Sequence, residues 1–318
     1  MNFDVNSLVT VAIPNYNNKE LLNNLLLSLK KSISLSQVII VDNASQDGSV
    51  DLIKEKFPEI NLIENNVNKG FACAVNQAIH LVETEYVFLL NNDTVIEKDT
   101  IPSLLETIQK SDDIFSVSSK MIQYYNKDLL DDVGDEYTLM GWSKRRGYGK
   151  NISEYPIDEE VFSACAGAAL FRMNVFSEIG YFDENFESYV EDMDLSFRAR
   201  LYGYKSYYSA NAVVYHVGSA ATGSRYNKFK VKISARNNIY LIYKNMPSWM
   251  KLLNGLFIII GIFIKYLFFY RKGMGEDYLE GIKEGLSTKN KLVKTNSSLS
   301  NLLKIEYLLI KNTITFLK

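Results

Sequence analysis

Short β-branched apolar runs alternate with amphipathic stretches through the first ninety residues, which confines the chain to βαβ units around a mostly parallel sheet flanked by helices. Strands are expected at residues 8–13, 37–41, 61–63 and 86–90. Leucines at helical spacing over 19–31, the Ser45 and Asp47 caps ahead of 48–57, and the helix formers of 70–82 supply the crossovers that parallel neighbours require.

Downstream the pattern is mixed. A helix is expected at 98–110, a strand near 115–119, an irregular polar stretch over 128–160, a helix at 192–202, and strands at 205–208 and 212–215. After Pro247 the composition shifts, and 252–270 is nearly all apolar, interrupted by Asn254 and Lys265. A second amphipathic run covers 299–317. With 47% apolar and 23% charged residues in 318, the chain suits one large core with an appendage and falls outside the disordered, collagenous and disulfide-rich classes. Cys73 and Cys165 have no partner at metal or redox spacing, and the first residues lack a charged start followed by an apolar core, so a reducing cytoplasm is the expected compartment.

Charge divides the chain. From Lys251 onward eleven Lys or Arg face five acids, which leaves the first 250 residues near −8 within a total of −2. A basic segment around the most apolar run suits the anionic cytoplasmic face of a membrane. Basic residues do not interleave with aromatics in a recognisable motif, so nucleic acid is not an expected partner.

In open α/β sheets, ligands gather beyond the carboxyl ends of the strands. Three polar clusters fall there: Pro14, Asn15, Tyr16 and Asn17 after the first strand, Asp42 and Asn43 after the second, and Asn91, Asn92 and Asp93 after the fourth. Singly, each is also ordinary turn chemistry. Asp93 is one carboxylate delivered by a strand, and Mg2+ or Mn2+ often takes one or two carboxylates plus substrate phosphates. Such an ion offsets charge on a departing diphosphate. Glu191, Asp192 and Asp194 open an apolar-periodic segment. Acids favour helix starts through the dipole alone, yet a carboxylate so rigidly held is also placed to accept a proton from a substrate hydroxyl. His216 ends a strand ahead of a Gly218-Ser219-Ala220 loop and the cations Arg225, Lys228 and Arg236, which suit phosphate oxygens. A lone histidine equally serves structure. The chain has no Walker-type phosphate loop, nucleophile elbow or HExxH pair.

Together these segments resemble the family 2 glycosyltransferases of the GT-A fold. VTVAIPNYNN is similar to that family's opening strand, VDNASQDGS to its base-binding turn, NKGFACAVNQAI to its sugar-side loop, and FLLNNDT to its Asp-x-Asp metal motif. The stretch from Cys165 through YVEDMDLSFRARLYG to VVYHVGS resembles the acceptor-side half. The likeness runs from about residue 8 to 244 and is nearest to bacterial rhamnosyltransferase-like members that build surface polysaccharides. It implies a donor half at 1–95, an acceptor and catalytic half at 96–245, and a helical, membrane-associating region at 246–318.

The resemblance further implies that Pro14, Tyr16 and Asp42 surround the nucleobase of a UDP- or dTDP-linked sugar, with Asn17, Asn43, Lys69, Asn91, Asn92, Arg225 and Arg236 as further donor contacts. Asp93 and His216 would hold a divalent metal, Mg2+ or Mn2+, and Asp192 would be the general base. Glu191, Asp194, Gly167, Ala168 and Trp142 would face a glycan or lipid-linked glycan acceptor. The aromatic residues of the irregular stretch, Tyr137, Trp142 and Tyr148, either shape the acceptor pocket or serve packing. The metal motif reads Asn-Asn-Asp, without its first acid. No second nucleophilic carboxylate stands out, so inversion is favoured over the double displacement of retaining enzymes. Over 252–270, flanked by Trp249, Tyr266, Tyr270, Arg271 and Lys272, shallow insertion into the inner membrane surface is expected rather than a full span. The oligomeric state is open, a homodimer among the options. A sugar-nucleotide-forming nucleotidyltransferase and a catalytically silent glycan-binding protein of the same fold stand as alternatives.

Overall fold

The computed structural model describes residues 4–218 and 226–317. A one-turn helix α1 (Val5–Leu8) leads into β1 (Val9–Asn15), followed by α2 (Lys19–Leu29), β2 (Val38–Asp42), α3 (Ser49–Lys56), β3 (Asn61–Glu64), α4 (Phe71–Ile79) and β4 (Tyr86–Leu90). β1 pairs in parallel with β2 and β4, and β2 pairs in parallel with β3. The reason for the apolar runs is burial on both faces. Val9, Val11 and Ile13 join one core with Leu22, Leu25 and Leu26 of α2, whereas Ala12 of the same strand joins a second core with Val75 and Ile79 of α4.

The second half departs from parallel order. β5 (Thr94–Ile96), α5 (Thr100–Ile108) and β6 (Ile114–Gln123) precede β7 (Asn126–Asp132), β8 (Asp135–Tyr137), β9 (Ser143–Arg145), β10 (Glu159–Val161) and β11 (Ala168–Arg172). Then come α6 (Met173–Ile179), α7 (Glu191–Tyr202) and β12 (Lys205–His216). The main sheet runs β10-β12-β6-β11-β4-β1-β2-β3, with β11 antiparallel to both β4 and β6. The stretch 128–160, expected to be irregular, instead contains β7, β8, β9 and the start of β10. Its strands are short or acidic, as in NKDLLDD and SKR, so no apolar alternation marks them. The two strands expected between 205 and 215 are one, with a register shift between Tyr208 and Val213 against β6.

α8 (Lys228–Asn245), α9 (Ser248–Arg271), α10 (Gly275–Thr288) and α11 (Leu299–Leu317) complete the chain. They are anchored to the rest of the chain, because Tyr240, Met250, Leu302, Ile305 and Leu309 share one apolar cluster with Tyr137, Phe186 and Phe197, while Val231, Ala235 and Tyr278 form a smaller cluster among the C-terminal helices themselves. α10 lies close on α8: a Cβ on Gly281 would stand 2.2 Å from the Lys232 carbonyl oxygen, so only glycine permits this approach.

Candidate active site

β1 stands between β2 and β4, with β3 beyond β2, so the strand order reverses beside β1. The carboxyl ends of three strands therefore meet, and their polar residues bond one another. Asn15 donates from Nδ2 to Asp42 Oδ2 at 2.7 Å, and Asn92 donates from Nδ2 to Asn15 Oδ1 at 2.7 Å. Asp42 is 1% exposed, its other oxygen accepting from the Ser45 amide at 2.8 Å. Asn43 donates to the Gly70 carbonyl and accepts from Asn65. Asn17, left-handed at φ 57°, accepts at Oδ1 from the Gln46 amide. Above this frame Tyr16 and Lys69 are exposed and Pro14 is partly exposed. Pro14 and Tyr16 are thus the accessible surfaces here, and Asp42, expected to meet a ligand, is instead buried and holds the turn through Asn15 and the Ser45 amide.

The antiparallel pairing of His216 with Thr94 sets the His216 ring beside Asp93. Nε2 lies 3.3 Å from Asp93 Oδ1, and Nδ1 lies 2.7 Å from Asp131 Oδ2. Arg145 grips Asp131 at 3.1 and 3.3 Å. Burial alone would lower the His216 pKa, but Asp131 and Asp93 outweigh it and raise it to about 10. Two carboxylates thus face the two nitrogens of one imidazole, an arrangement that fixes its plane.

Asp192 occupies the first turn of α7, partly exposed, with its Oδ1 accepting from the Met193 amide at 2.7 Å and its Oδ2 from the Ala166 amide at 3.3 Å. Burial pushes its carboxyl above the ordinary value against those two donors. The loop before it is strained: Glu187, Tyr189 and Val190 all have positive φ, 72° for the β-branched Val190. Asn237 of α8 clamps that loop by donating to the carbonyls of Phe186, Ser188 and Tyr189 at 2.7, 3.0 and 2.8 Å. The two halves join directly here. The Asn91 amide donates to the Gly167 carbonyl at 2.9 Å, one residue from the Ala166 amide that holds Asp192.

Four expectations are corrected. Asp194 is fully enclosed, accepting from Arg198 and Lys244 at 2.9 Å each and from Asn245 at 2.7 Å, because α7 turns it into the interior rather than toward an acceptor. Arg236 is no phosphate ligand: it pairs with Glu187 and Glu284 and donates to the Phe186 carbonyl, bracing the strained loop. Trp142 donates its indole N–H to the Gly261 carbonyl at 3.1 Å and meets Phe316 edge-on, since the turn between β8 and β9 holds it against the C-terminal helices. Tyr137 is likewise wholly within the core, whereas Tyr148 is exposed beside Arg145. Arg225 lies outside the described residues. Glu191 is 7% exposed with Oε2 lacking a hydrogen-bond partner, and burial, then Asp192, push its pKa well up. Gly167 leads into β11 beside Asn91, whereas Ala168, expected to face the acceptor, is 0% exposed and belongs to the apolar core.

Sequence reasoning missed Asp131, Asp132 and Arg145. The signal was present as LLDDVGDEY followed by SKRR, two pairs of acids on either side of a glycine, answered by cations. Its reading as an irregular stretch hid it.

The family model for glycosyl transferase family 2 matches residues 10–180. A poly-beta-1,6-N-acetyl-D-glucosamine synthase of Staphylococcus epidermidis is 25% identical over 203 residues, 62% of this chain and 47% of that protein. An N-acetylglucosaminyl-diphospho-decaprenol L-rhamnosyltransferase of Mycobacterium tuberculosis is 24% identical over 211 residues, 58% of this chain and 68% of that protein. The chain thus spans about half the length of the first relative. In fold it is similar to a mannosyltransferase from Pyrobaculum calidifontis in complex with GDP-Man and Mn2+, with a TM-score of 0.53 at 16% identity, covering 94% of this chain and 78% of that one.

Proposed function

Because this chain belongs to glycosyl transferase family 2, we propose that it transfers one sugar, with inversion, from a UDP- or dTDP-linked donor to a hydroxyl of a glycan or lipid-linked glycan. Rhamnose is the sugar suggested by the mycobacterial relative's name. One observation carries the reading: the segment Ala166–Gly167 touches both Asp192 and Asn91, so the candidate base and the strand end bearing Asp93 flank one loop.

Each residue then has a physical task. Pro14 and Tyr16 receive the base over the turn that Asp42 stiffens. Asp93 and His216 would hold a divalent cation that displaces the Nε2 proton, since a carboxylate oxygen and an imidazole nitrogen 3.3 Å apart can share one ion and Asp131 fixes the ring through Nδ1. Such an ion, Mg2+ or Mn2+, would neutralise charge on the leaving diphosphate. Asp192 takes the acceptor's proton, and burial, which raises its pKa above the ordinary carboxylate value, makes it a stronger base than an exposed aspartate. Inversion is favoured because Asp132 and Asp135 are 0% and 6% exposed and Asp194 is locked in ion pairs, which leaves Asp192 as the partly exposed acid of this group.

The test is a panel of nucleotide sugars with Mn2+ and a short glycan acceptor. Release of nucleoside diphosphate from a UDP- or dTDP-sugar, abolished by a chelator and restored by Mn2+, is expected. Pyrophosphate formation from a nucleoside triphosphate would instead mark a nucleotidyltransferase, and donor binding without release a silent protein.

The cytoplasmic membrane face is proposed as the working surface. Leu252, Leu256, Ile259 and Phe263 form an exposed stripe on the 24-residue α9, with Arg271 and Lys272 at its end. Replacing Leu256 and Ile259 by Glu should abolish co-sedimentation with anionic vesicles while leaving the thermal midpoint unchanged, because both side chains are already in water. Equal sedimentation of variant and parent would remove this part of the reading.

A further inference from the structure

We propose that Asp132, Asp135 and Cys165 form a second cation site, suited to Zn2+, beneath the loop that holds Asp192. One carboxylate oxygen from each acid and the Cys165 Sγ all lie within 4.8 Å of one another. Asp132 is 0% and Asp135 6% exposed, yet Asp132 Oδ2 and Asp135 Oδ1 have no hydrogen-bond partner. Unpaired buried carboxylate oxygens are costly and call for a proton or a cation. Asp132 Oδ1 already accepts from the Gly134 amide at 2.7 Å, which leaves its second oxygen for a ligand.

The backbone holds the three together by construction. Gly134 (φ 94°) makes the turn between the acids, and a Cβ there would lie 2.8 Å from Val161. Asp135 exchanges two backbone hydrogen bonds with Ser163, two residues before Cys165. Arg145, the nearby cation, spends its hydrogen bonds on Asp131. Two oxygens and a soft thiolate sulfur match zinc, a borderline ion whose bonds of about 2.0 Å to oxygen and 2.3 Å to sulfur reach atoms at this spacing after small side-chain rotations. Cys165 is partly exposed, which gives the ion an entry and leaves a fourth position for water. On binding, the thiol proton and any carboxyl proton leave to solvent. The ion would tie the β7–β8 turn to the 165–167 segment, and so to Asp192 through the Ala166 amide.

The site is independent of the transferase reading, and its test needs no turnover. In the full-length protein, Zn2+ should slow alkylation of Cys165 about tenfold or more relative to chelator-treated protein, while Cys73, on α4, keeps its rate. Cd2+ as a probe should give a thiolate charge-transfer band that Cys165→Ser abolishes and Asp135→Asn weakens about tenfold, and that Asp93→Asn leaves intact. Unchanged Cys165 alkylation in the parent protein overturns the proposal whatever the variants do. Loss of the band in Asp93→Asn overturns it too, by assigning the ion to the cleft; acids that merely share a proton give neither signal.

Discussion

Asp192→Asn should lower transfer by about 10²–10⁴-fold, the usual worth of a positioned base, and leave nucleotide-sugar affinity within a factor of a few. The side chain's contacts explain why the loss is chemical rather than structural. The Met193 amide at 2.7 Å can still donate to the oxygen of an asparagine, and the Ala166 contact at 3.3 Å is the weaker of the two. What disappears is a lone pair able to accept the acceptor's proton. Burial raises the Asp192 pKa against its amide donors, so the parent enzyme's kcat/KM should rise with pH through a value above the ordinary carboxylate of about 3.9. The variant should lose that acid limb. Donor titration calorimetry with single-turnover transfer separates the two effects, and near-normal transfer by the variant would reject Asp192 as the base.

Asp194→Asn should cost about 3 kcal/mol of folding stability, the lower end of what breaking a buried ion pair costs. Arg198 and Lys244 both bond its Oδ2 inside the protein, and the change leaves two buried cations short of a counter-charge. The loss is moderated because Lys244 keeps Asp183 at 2.7 Å and Arg198 keeps the Gly180 and Tyr181 carbonyls. Burial pushes the Asp194 pKa up, but Lys244 and then Arg198 prevail and hold it below the ordinary value. The sign follows: the stabilisation is fully present above about pH 4, where the unfolded carboxyl has ionised, and fades as pH falls through the depressed folded pKa. Denaturant midpoints of parent and variant should therefore differ widely at pH 7 and converge in acid. Coincident midpoints at pH 7 would show that the pair carries no stability.

The strand ends were legible because their chemistry is local. FLLNNDT announces a strand that stops on amide and carboxylate side chains, and VTVAIPNYN does the same; the fold then places these ends side by side around β1. His216 was legible as the end of β12, and its pairing with Thr94 brings it to Asp93. Glu191, Asp192 and Asp194 were legible only as a group. In sequence they are alike, whereas in space Asp192 is partly exposed, Asp194 is bonded by Lys244 and Asn245 of α8, and Glu191 is buried.

Arg236 and Trp142 show the limit from the other side. An arginine after a histidine loop reads as a phosphate ligand and a tryptophan in a polar stretch as an acceptor contact, but α8 turns the first onto Glu187 and the β8–β9 turn sets the second against α9. By itself, then, the sequence determined the parallel nucleus of the sheet, the positions where strands stop on polar residues, and the identity of the base and metal candidates, because apolar period and strand-end chemistry act over a few neighbouring residues. Only the tertiary structure decided which acids are open and which are locked in ion pairs, and that Asp131 and Arg145 stand behind His216. Those outcomes depend on which distant elements pack together, and burial, which sets the energy of a charge, belongs to the assembled fold rather than to any segment.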